Sequence, residues 1–572
     1  MNTIRHLFFL FSFFVFQALA AMNQEAPNEK SFVIVIPSHN NSDWYQKNLD
    51  SVFNQRYTNF RIIYISDGST DGTAELVENY VKQWGQDHRF TLIKNLERHG
   101  ALSCICRAIF SCEKNEIIVD LDGNDWLAHD QVLSILNRTY EDPDVWMTYG
   151  QFMFFPEYAR GFASQVPKEI IEKNKFRSHG GAITHLKTFY AGLFHLIKKQ
   201  DFLYENAFIP EAYDLAYIIP IAELAGRHSK FIPHVLSIYN RSHPLNLNKK
   251  PSWLEEEMDK YIRSLEKYEP LETLAFLNKE DLLPPNSVYK QIQDIRHPTI
   301  NDYRLIQNYL TNGERPELDH LRDMEARIRD FKLIGQTPRQ FPQSGCIHVN
   351  CSETELENCI LVYASFNIGF QKAAHRLIKL IKESDFRGHI LFQLGGWPDA
   401  EGGSLVLSHV PYAFKVSFFK EAQRKGYKRA LWLDTAVVPL ASLNDIFAMI
   451  KEKGYFAMGN SHKVGPYINP QAAVYFGLSH EKTFHIPSCS AGLFGVDFTN
   501  PLGCSLVERL YRAAYDKDAF FSARSDQSAL SIILFQASIH DLISLDRLPH
   551  HPSEIRSDSL FWLDREFVIE GD

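Results

Sequence analysis

Residues Phe32–Asn40 read FVIVIPSHN, an apolar β-branched run that stops abruptly at Pro37, Ser38, His39 and Asn40. Two later stretches are built the same way: Tyr64–Thr73 (YISDGSTDGT) and Val119–Leu127 (VDLDGNDWL). Short apolar runs bounded by turn residues read as strands buried on both faces of a parallel sheet. Their polar tails then gather at the carboxyl ends of the strands, where open α/β sheets bind ligands. Those ends carry acids and hydroxyls but neither glycine-rich phosphate cradle, GxGxxG or GxxxxGKS/T. An acid-rich site of this kind suits a nucleotide held by its base and ribose, with a divalent cation on its diphosphate.

Strand and helix alternate outward from these segments over residues 31–245, in the doubly wound manner. Helices are expected over Asp43–Gln55 and Asp71–Gln83, each with an acid placed to cap its start. Phe90–Ile93 reads as a strand, Gly100–Ser111 as a helix, and Glu116–Asp120 as the strand leading into the acidic turn. Residues 246–354 change character: charged helical stretches such as Trp253–Tyr268 and Pro316–Ile334 dominate, broken by Pro284, Pro285 and Gly313. This part reads as a helical connector. A second α/β pattern fills 355–572, with strands at Ile360–Ser365, Ile390–Leu394 and Ala430–Leu433, and helices at Ala373–Glu383, Ser417–Gly426 and Leu443–Lys453. The architecture repeats but the sequence does not.

A length of 572 residues exceeds one ordinary domain and suggests two to four. Hydrophobic and charged contents of 45% and 23% are those of a globular protein. The net charge of -9 argues against a nucleic-acid partner, which would want a basic surface. Arg5, the apolar stretch Leu7–Ala21 and the small residues Ala18 and Ala20 read residues 1–22 as a secretory signal peptide, with an uncleaved anchor as second choice. Eight cysteines form no CxxC pair and show no metal-ligand spacing. Cys346, Cys351 and Cys359 border the second domain and are candidates for pairing in an oxidising compartment, with connectivity open.

The ordered motifs resemble the family-2 glycosyltransferases, the inverting GT-A type. Between the first two strands stand Leu49, Ser51, Val52 and Gln55; then come Asp67–Asp71 and Asp122–Asp125. The resemblance implies an α/β chain of two GT-A-like domains, Rossmann-like with mostly parallel sheets, joined by the helical connector. It implies transfer of a sugar, with inversion, from a nucleotide-sugar donor (UDP-linked favoured) to a glycan or protein hydroxyl. Pro37, Ser38, Asn40 and Asp67 would then line the nucleotide, with Asp67 accepting a hydrogen bond from the base. Asp122, Asn124 and Asp125 would hold the ribose and a Mg²⁺ or Mn²⁺ ion. Asn124 departs from the family's acid and brings no charge, which Asp120 or Asp125 would have to supply. Asp214 matches the family's general base, and Glu211 is its rival three residues back. Lys187, within His185–Phe189, and Arg241 or His243 are candidates for the diphosphate. Helix capping by Asp214 and a solvated Lys187 are the plainer alternatives.

In the second half, Trp432–Ala436 stands where such a domain puts its acidic turn. Ser490–Gly495 and Asp526–Leu530 distantly resemble the family-8 transferases. Asp434 and Asp526 are the candidate site residues there, although Ala436 replaces a second acid and cannot ligate, so the domain reads as degenerate. The competing reading is a carbohydrate-binding or scaffold protein built from decayed transferase domains. A nucleotidyltransferase is a third reading, but Ser38–Asn41 is neither glycine-rich nor basic. Membrane contact is expected only through an uncleaved N-terminal segment. The leader implies export or the secretory lumen. Asn40, Asn137, Asn240 and Asn350 open glycosylation triplets.

Overall fold

The computed structural model describes residues 29–179, 183–243, 253–274, 341–402, 404–520 and 522–564. The leader and the expected helix at Pro316–Ile334 lie outside them. The first unit is built on β1 (Phe32–Ser38), β2 (Phe60–Asp67), β3 (Phe90–Asn95), β4 (Ile117–Asp120), β5 (Trp126–Leu127), β6 (Met147–Phe155), β7 (Lys187–Tyr190) and β8 (Ser229–Asn240). Their spatial order is β3-β2-β1-β4-β7-β6-β8-β5, and Ala159–Arg160 pairs with β6 off this path. β1 runs parallel to β2 and β4, with Ile34 opposite both Ile62 and Val119. All seven residues of β1 are buried, which is why the run shows no polar alternation. β7 is antiparallel to β4 and β6 and breaks the parallel pattern.

Helices α1 (Tyr45–Phe53), α2 (Thr73–Gln83), α3 (Ala101–Ile109) and α4 (Leu215–Ala225) cover the sheet. Helix α4 is apolar on every face apart from Glu223, as a wholly buried helix should be, with Ala216–Ala225 buried. The expected acidic caps differ in detail. Helix α1 begins after Trp44, with no side-chain cap, so Asp43 does not cap it. Gly72, at φ 83°, takes the cap position of α2. Asp71 nevertheless accepts the Thr73 N–H at 3.1 Å and the Ser42 N–H at 2.9 Å, tying the starts of both helices together.

The head of the expected connector belongs to this first unit. Helix α5 (Trp253–Ser264) buries Met258 and Ile262 completely in the first core. Beneath it, the Arg177 guanidinium forms a bidentate pair with Glu223, both contacts 2.9 Å. Arg177 also donates to the Ile262 carbonyl, and Glu223 accepts the Tyr268 N–H at 3.1 Å. A buried pair closed by further hydrogen bonds has its polar atoms satisfied.

The second unit carries β9 (Gln343–Val349), β10 (Asn358–Ala364), β11 (Gly388–Leu394), β12 (Arg429–Leu433), β13 (Tyr455–Lys463) and β14 (Pro487–Asp497), in the order β9-β11-β10-β12-β14-β13. Helices α6 (Ile368–Glu383), α7 (Phe414–Arg424), α8 (Leu443–Lys453) and α9 (Ser525–Gln536) flank them. Only the β10–β11 and β10–β12 pairs are parallel, so this sheet is mixed rather than mostly parallel. Strand β9 lies where the connector was expected.

The two units meet over a shared apolar cluster that includes Trp126, Met153 and Ile238 from the first and Trp397, Leu407 and Val410 from the second. Glu401 caps this seam, 3.1 Å from Lys47 and in contact with the Tyr158 hydroxyl. Lys47 itself lies 4.4 Å above the Trp126 ring. Among the described residues, no helix is long and apolar enough to cross a membrane.

Candidate active site at the strand ends

The three segments that open the sequence reading converge in space. The acidic turn after β4 is laced to β1: the Leu121 N–H donates to the Val35 carbonyl at 3.1 Å and the Gly123 N–H to Pro37 at 3.0 Å. A Cβ at Gly123 would stand 2.7 Å from the Ser38 Cβ, so the turn closes this tightly only with glycine there. Ser38 Oγ accepts from the Tyr64 hydroxyl at 2.8 Å and from Asn41 at 3.0 Å. Asn40, at φ 52°, accepts the Thr70 N–H at 2.9 Å and so fixes the loop after β2. Pro37, Ser38 and Asn40 thus frame the site.

Asp67, at the end of β2, is already well supplied with donors. Its carboxylate accepts from Asn95 at 2.8 Å, from the His99 N–H at 2.9 Å and from the Gly100 N–H at 2.8 Å. Burial pushes its pKa up, but these three hydrogen bonds outweigh it and hold the group below the usual range. It organises the loop that starts α3. The Cys104 thiol adds a fourth interaction, and the residue is 4% exposed.

Beside it, Asp122, Asp125 and His185 bring one ligand atom each to within 4.8 Å of one another. Asp122 is half-exposed and faces His185 Nε2 at 3.9 Å. Burial raises its pKa, and the imidazole more than offsets that, so it is held ionised. His185 is pushed down by burial and raised, on balance, by Asp122. Asp125 is buried; one oxygen accepts the Asn240 N–H at 2.8 Å, and the other has no hydrogen-bond partner. Burial first, then the neighbouring Asp122, lift it to about 7. Asn124 sits half-buried on the same turn.

Sequence reasoning passed over His185 as a ligand, because what brings it to Asp122 is the register of the folded sheet. The antiparallel register places Lys187 opposite Asp120. Continued by two residues, that register sets position 185 against position 122 on the same face.

Lys187 is not a free point charge. It is buried, 3.1 Å from Asp120 and 3.4 Å from Asp214. Burial lowers its pKa, and Asp120, Asp214 and Asp122 more than restore it, so it stays cationic. Tyr217 donates to Asp120 at 2.6 Å and completes the clamp. The lysine is committed to these carboxylates, against the expectation that it meets a diphosphate. Arg241 is similarly engaged, 3.7 Å from the buried Glu157 and stacked 3.6 Å over the Phe154 ring. His243 Nε2 lies 3.3 Å from the Asn40 carbonyl.

Asp214 stands at the start of α4 but makes no side-chain cap; it faces Lys187 and stays 41% exposed. Glu211 does not share its helix face. The helix begins at Leu215, and Ala212, at φ 50°, turns the chain between them.

The second unit repeats this electrical pattern with different elements. Lys415, on α7, is buried between Asp434 at 3.3 Å and Asp526 at 2.9 Å, and donates to the Ala491 carbonyl at 3.0 Å. Val416, Phe419, Trp432 and Phe494 line the apolar pocket around it. Burial raises the Asp526 pKa despite Lys415. Ala436 leaves Asp434 the sole acid of its turn.

Residues 33–202 match the family model described as glycosyl transferase family 2. Among curated proteins, the chain is similar to glycosyltransferase GlyG of Streptococcus pneumoniae, 24% identical over 176 residues, covering 30% of this chain and 57% of that one. Glycosyltransferase GlyA of the same organism is 25% identical over 113 residues, 20% of this chain and 16% of its own. The chondroitin synthase of Pasteurella multocida is 28% identical over 116 residues, 20% of this chain and 12% of its own. In each case the match spans less than two thirds of the relative. Among solved structures, S. aureus TarS 1–349 in complex with UDP-GlcNAc has a TM-score of 0.31 at 13% identity, covering 41% of this chain and 65% of that one. The mannosyltransferase PcManGT from Pyrobaculum calidifontis has a TM-score of 0.27 at 14% identity, covering 56% and 93%. Residues 33–202, within the N-terminal α/β unit, are the part of the chain that is similar to the glycosyl transferase family 2 model.

Proposed function

We propose that the first unit transfers a sugar, with inversion, from a nucleotide-sugar donor (a UDP-sugar favoured) to a hydroxyl of a glycan or protein. The observation that carries this reading is the cluster of Asp122, Asp125 and His185 at the strand ends, with the Lys187–Asp214 pair beside it. The cluster fits a hard divalent cation such as Mg²⁺ or Mn²⁺: it offers two carboxylates and an imidazole, and the buried second oxygen of Asp125 has no hydrogen-bond partner. Asp122, Asp125 and His185 would hold that ion, with Asn124 as an uncharged neighbour. When bound, it supplies positive charge against the leaving diphosphate.

The chain's own residues do the rest. Asp67, at the end of β2, is the acid that would meet the base, and Pro37, Ser38 and Asn40 frame the nucleotide. Lys187 holds one oxygen of Asp214, leaving the other on the exposed side. That oxygen takes the acceptor hydroxyl's proton as the acceptor oxygen attacks the anomeric carbon from the face opposite the diphosphate. The bond to the diphosphate breaks and its electron pair leaves with the diphosphate. Glu211, which does not share a helix face with Asp214, is the lesser candidate for the base. A titration of the full chain with UDP- and GDP-sugars in Mn²⁺ tests the reading. Binding of a nucleotide sugar that is weakened by Asp122→Ala supports it; no binding of any nucleotide sugar contradicts it.

For the second unit, Ala436 leaves Asp434 the sole acid of its turn and Lys415 already lies against it, which favours sugar binding without metal-dependent turnover. Export into a lumen supplied with nucleotide sugars is the compartment that the leader suggests.

A further inference from the structure

Across the outer strands of the second sheet, three neighbouring registers place soft ligands on one face. His348 of β9 stands directly opposite His389 of β11, and His389 opposite Cys359 of β10. Cys346, two residues before His348, shares its face by the period of the strand. The ligand atoms of Cys346, His348 and His389 all lie within 4.8 Å of one another, and the two imidazole rings are 4.6 Å apart. Cys346 and His348 are exposed, whereas His389 is 1% exposed.

A second observation concerns the tautomer. His389 Nε2 lies 3.0 Å from the Ser352 carbonyl, which only accepts, so the proton is on Nε2. Nδ1 is then a lone pair, and it points at the Tyr427 hydroxyl, 2.6 Å away. That hydroxyl is in turn 3.5 Å from Cys346 Sγ. A ring N–H held by a backbone carbonyl leaves the other nitrogen as the lone pair, the tautomer that a metal-binding histidine uses; here that lone pair accepts from the Tyr427 hydroxyl.

We propose that Cys346, His348 and His389 form a zinc site that fastens strand β9 to the edge of the second sheet. One thiol and two imidazoles are ligands of the type zinc takes, and the exposed side leaves the fourth position to water. On binding, the Cys346 S–H bond breaks, its electron pair forms the sulfur–metal bond, and the proton passes to solvent. Binding through Nδ1 requires the Tyr427 side chain, now 2.6 Å from that nitrogen and buried, to withdraw from it. The site explains why a strand with only Val349 buried stays on the sheet: its pairing is reinforced from the face rather than by a core.

Cobalt substitution of the full chain tests this. The zinc-stripped, reduced protein, titrated with Co²⁺, should take up an ion that produces thiolate-to-cobalt charge-transfer absorption and the visible bands of a tetrahedral centre, both abolished by added Zn²⁺. Cys346→Ser should remove the charge-transfer band. His348→Gln should weaken binding by about tenfold or more. Both positions are exposed, so the fold should survive, as circular dichroism would check. Asp122→Ala should leave the thiolate-to-cobalt charge-transfer band unchanged, separating this site from the one at the strand ends. Absence of the charge-transfer band, its persistence in Cys346→Ser, or a disulfide at Cys346 in the purified chain would overturn the proposal.

Discussion

Lys187 and Lys415 hold matching electrical positions, each buried between one acid at the end of a strand and another at the start of a helix. Removing such a cation strands the carboxylates it neutralises. Lys187→Met should therefore destabilise the chain by about 3 kcal/mol or more, read from the denaturant midpoint. An unchanged midpoint would mean that Asp120 finds another partner. His129 makes a second prediction at this scale. Burial pushes its imidazole from 6.5 down to about 4. The unfolded chain then binds the extra proton first, so this contribution is full above about pH 6.5 and is lost as pH falls toward 4. The loss is at most roughly 3 kcal/mol, and the stability–pH profile of His129→Gln should be flatter over that window. Placement of Asp67, Asp122 and Asp214 was legible because motifs number them along the chain. His185 was not, because its nearness to Asp122 depends on an antiparallel register that only the folded sheet defines. Nor does sequence tell a solvated lysine from one clamped by acids distant in the chain.

At the scale of elements, the apolar strands and amphipathic helices were readable from period alone: Leu443–Lys453 is helical as expected, and β12 lies within a residue of its expected bounds. Two elements were misplaced for physical reasons. Helix α5 looks like part of a charged connector because only two of its residues are buried, but those two seat it in the first core. Strand β9 carries almost no apolar pattern, so no periodicity announces it. The Arg177–Glu223 pair also ties α5 to the first unit, since it reaches the Ile262 carbonyl on the helix and the Tyr268 N–H just beyond it. Glu223→Ala, by leaving a buried guanidinium unpaired, should cost about 3–5 kcal/mol and increase proteolysis near residue 265. A loss below about 1 kcal/mol, typical of a surface pair, would contradict this.

At the scale of the molecule, the seam between the units shares one apolar cluster, so they should unfold together. Calorimetry on the full chain should show one transition, and residues 341–572 expressed alone should melt lower or aggregate through the uncovered face around Trp397 and Val410. Two well-separated transitions would show that the seam contributes little. The central claim is that the strand-end site of the first unit is where transfer happens. Its most direct measurement is kcat and donor Kd for the full chain carrying Asp214→Asn, compared with the wild type and with Asp526→Asn. The account predicts that Asp214→Asn loses about a hundredfold or more in kcat with donor Kd little changed, since a general base acts only in the transition state, and that Asp526→Asn retains turnover. Full turnover by Asp214→Asn, or turnover lost only in Asp526→Asn, would contradict it.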